Sequence, residues 1–193
     1  TEDGILTHRL CNAVFDGVSS GILPFAPVPM IDGLTPGQFA MENGKVALVE
    51  AMERGIPPSG LVQYLTDSLK RAIRQVTSDK SDRAIGKPAY TFTAFLPQHN
   101  IIVRVGDCPF AIDGVVTDTS LRVDEFKAGI RRRYLEREIR KEMDRGLTYD
   151  EVVEMFVTHD PTAWLMEQLF HEFQSQYTNN PDPHYGYGVV NGE

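Results

Sequence analysis

The run from Leu10 to Phe15 is apolar, compatible with a β-strand and interrupted only by Asn12, and it stops at Asp16-Gly17 and Ser19-Ser-Gly21. A short apolar run closed by turn residues predicts a buried strand leading into a tight turn. The acidic pair Glu2-Asp3 precedes this strand. Two neighbouring strands that end in carboxylates are a common way to place hard oxygen ligands around Mg²⁺ or Mn²⁺. On spacing alone, a solvated terminal pair and a turn aspartate fit the same residues and are the plainer reading. Gly17, lacking a Cβ, allows the backbone to approach a bound ion and offers its carbonyl as a ligand, and it equally suits a simple turn.

The remainder of the chain limits what such a site can serve. With 193 residues, 41% of them hydrophobic and 24% charged, the chain is expected to fold as one domain. Its 19 Lys and Arg against 27 Asp and Glu leave a net charge of -8, which argues against nonspecific attraction to nucleic acid or anionic membrane. Two cysteines, Cys11 and Cys108, give no disulfide framework and read as buried thiols in a reducing compartment. No apolar run approaches the ~20 residues that span a bilayer, so the expectation is a cytoplasmic protein.

Four prolines between Ile22 and Gly37 predict irregular structure there. Helices are expected from about Phe39 to Arg54 and from about Leu61 to Val76, the second burying Leu61, Leu65, Leu69, Ala72 and Val76 on one face. After a polar loop over 78–87, Tyr90–Leu96 and Ile101–Val105 read as a β-hairpin. Phe126 to about Arg145 reads as a charged, solvent-facing helix closed by Gly146. Thr148-Tyr-Asp-Glu151 has capping-box spacing and Asp160-Pro161 opens a further helix, which Asn179 to Pro183 ends. Tyr185 to Val190 reads as a short strand.

Other chemistries find little support. The five histidines, His8, His99, His159, His171 and His184, lack metal-ligand spacing. No glycine-rich phosphate loop follows a strand. Arg131-Arg-Arg133, with Arg137 and Arg140, is interleaved with Glu136, Glu138 and Glu142 and reads as a solvated helix face, with anion binding as the alternative. An exposed Thr1 matches an N-terminal nucleophile of the self-processing amidohydrolases, but the lysine and aspartate expected close behind it are not evident.

Thr1-Glu2-Asp3, Ala13-Val-Phe-Asp-Gly17 with Ser19-Ser-Gly21, and Val103-Arg-Val-Gly-Asp-Cys108, in that order and with two helices between, resemble the metal-dependent type 2C serine/threonine protein phosphatases. Pro88-Ala-Tyr-Thr-Phe-Thr-Ala94 fills the family's pre-hairpin segment loosely, and the stretch from Phe126 to Gly188 resembles the long helical insertion of a bacterial branch. The resemblance implies an α+β fold, a four-layer α-β-β-α sandwich of two antiparallel sheets flanked by helices, with a helical insertion over 121–183 inside a single domain. It implies two Mn²⁺ or Mg²⁺ ions, bridged by Asp16, with the Gly17 carbonyl as a further ligand and Glu2 and Asp3 holding water. A metal-bound water would attack phosphoserine or phosphothreonine on a protein substrate. Asp107 is assigned a structural place at the strand end rather than a ligand's role.

The family's other metal aspartates, in a Ser-Asp-Gly and an Asp-Asn segment, have no counterpart here. Thr1 replaces the usual Asn, Cys108-Pro109 replaces Ser-Arg, and the phosphate-binding arginine would lie upstream. A fragment, incomplete at both ends, is the expected explanation. The competing function is a phosphatase-fold binding or regulatory module that no longer catalyses.

Overall fold

A computed structural model describes residues 2–19, 30–77, 88–117, 122–165, 168, 179 and 188–191. The chain divides into two compact units, 1–119 with 188–193, and 120–187.

The first unit is built on a four-stranded antiparallel sheet in the order β1-β2-β3-β4, formed by Asp3–His8, Cys11–Ser19, Pro88–Leu96 and Ile101–Val105. Between β2 and β3 the chain forms α1, Pro36–Glu53, and α2, Pro58–Thr77. Alternation along β2 decides its two faces. Cys11, Ala13, Phe15 and Gly17 are buried, whereas Asn12 and Val14 are exposed and Asp16 is half-buried.

On the buried face, Phe15, Tyr90 and Phe92 form an aromatic cluster with centroids 5.6 to 6.1 Å apart. It shares one core with Ala40, Leu48 and Ala51 of α1 and with Leu61, Leu65 and Leu69 of α2. The apolar face expected of the second helix is therefore found, with Ala72 and Val76 packed at its margin. Burial pushes the Tyr90 hydroxyl upward in pKa, and among the described residues it has no hydrogen-bond partner. The opposite sheet face carries Ile5, 75% exposed, with Val14 and Phe95.

Several boundaries differ from expectation. β2 does not turn at Asp16-Gly17 but continues to Ser19, because β3 begins at Pro88 and supplies partners through Ser19↔Pro88. The proline-rich segment is not irregular as far as Gly37. Pro36 occupies the first turn of α1, where its missing N–H costs nothing, and Thr35 and Gln38 close a capping box before it. A small hairpin, β5 (Ala111–Ile112) and β6 (Val115–Val116), was not foreseen. It turns at Asp113-Gly114, both with positive φ, as a two-residue primed turn requires.

The 97–100 turn joins β3 to β4 as expected. Of the strand expected over 185–190, the described residues show a single bridge, Tyr90 to Val190, with 188 and 189 outside any strand and 185–187 outside the described residues. Thr1, residues 22–29 of the 22–37 stretch, the 78–87 loop, His171, His184 and 180–183 likewise lie outside them.

The second unit contains α3, Arg122–Asp144, and α4, Tyr149–Thr158. α3 begins one turn before the expected Phe126, and Gly146 follows it with φ near +101°. Thr148 and Glu151 form the anticipated capping box. Asp160 accepts from the Thr162 backbone N–H at 2.8 Å, as an N-cap does; most of the helix expected beyond it lies outside the described residues. Tyr134 of α3 meets Trp164 edge-on at 5.9 Å.

The fold is thus mixed α and β with an antiparallel sheet. Among the described residues the layers seen are the four-stranded sheet and helices packed on one of its faces; a facing second sheet is not among them. No described helix is long and apolar enough to cross a membrane.

Candidate metal centre

Register brings the predicted residues together. Antiparallel pairing sets Asp16 of β2 directly opposite Asp3 of β1 on one side and Thr91 of β3 on the other. Side chains directly across a ladder point to the same face, so Asp3, Asp16 and Thr91 share the face away from the helices. The chain leaving β4 then delivers Asp107, whose Oδ1 accepts a hydrogen bond from the Thr91 hydroxyl at 3.2 Å.

The electrostatic result is a crowded acidic cluster. Asp16 is pushed up to about 6 from the ordinary 3.8. Burial is the largest cause, followed by the charges of Asp107 and Asp3, a hydrogen bond shared with Asp3, and the charge of Glu2. Asp107 is thus the neighbouring charge that bears most on Asp16, which its assignment to the strand end did not anticipate. The hairpin register that carries Asp107 beside Thr91 was the signal that could have located it.

Glu2 and Gly17 are engaged locally. The Thr35 hydroxyl hydrogen-bonds a Glu2 carboxylate oxygen, and the Glu2 carbonyl accepts from the Gly17 N–H at 3.1 Å. Glu2 therefore fastens the N-terminus of α1, where partial positive charge favours a carboxylate. A Cβ at Gly17 would lie 2.5 Å from the Gly37 carbonyl oxygen and 2.9 Å from that of Glu2. The absent side chain at 17 admits the first turn of α1, a packing reason for glycine independent of any ion.

Cys108 completes the surroundings. Its carbonyl accepts from the Thr93 hydroxyl at 2.7 Å, and its Sγ lies 3.2 Å from the Thr91 hydroxyl. Both cysteines are free and buried, as expected, and burial raises both thiols.

Anionic oxygens gathered at one sheet end suit a hard divalent cation in donor type. The set is short in number: among the described residues, no group of three His, Cys, Asp or Glu side chains stands in position to hold a metal ion. No family model, curated protein or solved structure matches the chain.

Proposed function

We propose that the first unit is the metal-binding part of a phosphatase that hydrolyses phosphomonoesters, with phosphoserine or phosphothreonine of proteins as substrate. The observation that supports this is the gathering of Asp3 and Asp107 around the half-buried Asp16, whose pKa is raised to about 6 by burial first and by these charges next. Asp16 and the Gly17 carbonyl would hold Mn²⁺ or Mg²⁺, and Asp3 would orient water beside them. When bound, such ions neutralise phosphoryl charge and acidify water, the chemistry that phosphomonoester hydrolysis requires. Without a cation, burial and the neighbouring negative charges favour the protonated form of Asp16. Glu2, hydrogen-bonded by Thr35, fixes the edge of the site against α1. The four-layer sandwich belongs to the same proposal, as does the reading of 121–183 as an insertion.

The test is hydrolysis of p-nitrophenyl phosphate by the protein with Mn²⁺ and with chelator, alongside Asp16→Ala. Turnover that needs Mn²⁺ and falls by at least about a hundredfold in the variant is expected for loss of a metal ligand. Metal-independent turnover, or an undiminished variant, would sink the proposal. Absence of turnover from protein that binds Mn²⁺ would favour a binding module.

A further inference from the structure

α3 concentrates positive charge in an acidic chain. It carries eight Lys and Arg against six Asp and Glu, whereas the chain as a whole stands at -8. Arg133, Glu136, Arg137, Arg140, Lys141 and Asp144 line an open groove of about 390 Å³. Arg133, Arg137, Arg140, Lys141 and Asp144 fall at intervals of three, four and one residues, which places them along one side of the helix.

Most cations of the second unit already have partners. Arg131 binds Asp160 at 2.6 Å, Arg132 binds Glu136 at 2.9 Å, Lys141 binds Glu138 at 3.0 Å and Arg145 binds Glu142 at 2.6 Å. Arg137 lies 3.4 Å from Glu138 and 4.7 Å above the Tyr134 ring. Arg133 and Arg140 line the groove, and among the described residues neither makes an ion pair or hydrogen bond. They are both exposed. Seven residues of helix separate them by roughly 10 Å along the axis. A peptide in the extended polyproline II form rises about 3.1 Å per residue with about three residues per turn, so side chains three residues apart share a face and match that interval.

We propose that this groove docks an extended phosphopeptide segment carrying a second anionic side chain about three residues from its phosphoryl group. Exposed pairs of Arg with a carboxylate contribute little, and α3 supplies those from its own sequence. A phosphoryl group carries nearly twice the charge and accepts both arms of a guanidinium, which allows it to outcompete water at an exposed arginine. The inference deepens the phosphatase reading and rests on it for the source of the phosphopeptide.

Binding under chelator separates the two. Fluorescence anisotropy on the whole chain would compare a labelled peptide bearing phosphoserine and, three residues on, glutamate with its unphosphorylated twin. The double variant Arg133→Gln with Arg140→Gln is expected to bind the phosphopeptide at least about tenfold more weakly, the scale of losing charge-assisted hydrogen bonds. Arg132→Gln, whose partner is Glu136, should change binding less than about twofold, as for an exposed pair. Arg133→Lys with Arg140→Lys should restore only part of the affinity. Equal binding by wild type and the double variant, full rescue by lysine, or tighter binding of duplex DNA or anionic vesicles through the same arginines would each overturn the docking proposal. Both sites are exposed, and circular dichroism checks that the variants fold. Loss of p-nitrophenyl phosphate turnover with docking intact would count against the phosphatase reading alone.

Discussion

Asp16 makes the chain's stability depend on pH in a particular direction. Its carboxyl titrates near 6 in the folded protein against 3.8 ordinarily, so the folded state holds this proton more tightly than the unfolded chain does. Ionising it opposes folding: the penalty is absent below about 3.8, develops through the interval, and is complete above about 6. Asp16→Asn in metal-free protein should therefore raise stability at neutral pH by about 1 kcal/mol, after allowance for solvent screening at this half-buried site. Urea denaturation across pH checks this, and a gain that persists unchanged below about 3.8 would contradict the assigned cause. At this scale the sequence marked the residue whose pKa the fold perturbs. The apolar run before Asp16 and the turn residues after it singled the aspartate out, while the neighbours that perturb it come from β1 and from the chain beyond β4, distances that no local pattern spans.

Backbones of two elements approach closely where β2 crosses the start of α1. A side chain at 17 would collide with main-chain atoms of Gly37 and Glu2, which cannot rotate away as a side chain can. Gly17→Ala is expected to destabilise the first unit by about 3 kcal/mol through overpacking, measured by chemical denaturation in chelator so that no ion contributes. An effect below about 0.5 kcal/mol, the range of ordinary surface changes, would refute the close approach. Helices were the more legible elements. Leu61, Leu65 and Leu69 repeat at helical spacing and are buried together, and Thr148 with Glu151 announces the start of α4. The start of α1 was equally written, in Thr35-Pro-Gly-Gln38, but the prolines before it drew the reading toward a loop. The end of β2 was misread because strand length is set by the partner: β3 begins at Pro88, and pairing with it carries β2 past Asp16-Gly17 to Ser19.

At the scale of the whole molecule, the proposed metal binding would be linked to folding. An ion that binds only the folded chain stabilises it by mass action, about 2.7 kcal/mol when its concentration is a hundred times the dissociation constant. Mn²⁺ should accordingly raise the thermal midpoint of the chain, chelator should reverse the rise, and Asp16→Ala should abolish it. A rise of equal size in Asp16→Ala would place the ion elsewhere. Composition and periodicity were enough to set the mixed α and β character, the hairpin of β3 and β4 and the buried face of α2, because each depends on neighbours within a few turns or one hairpin. Only the tertiary structure joined Asp107 to Asp16, gave Glu2 to the N-terminus of α1, assigned Gly17 a packing role and, among the described residues, left Arg133 and Arg140 of α3 without partners. Those outcomes depend on strand register, on backbone approach between elements distant in sequence and on which carboxylates reach which cations, and each is decided when the chain closes on itself.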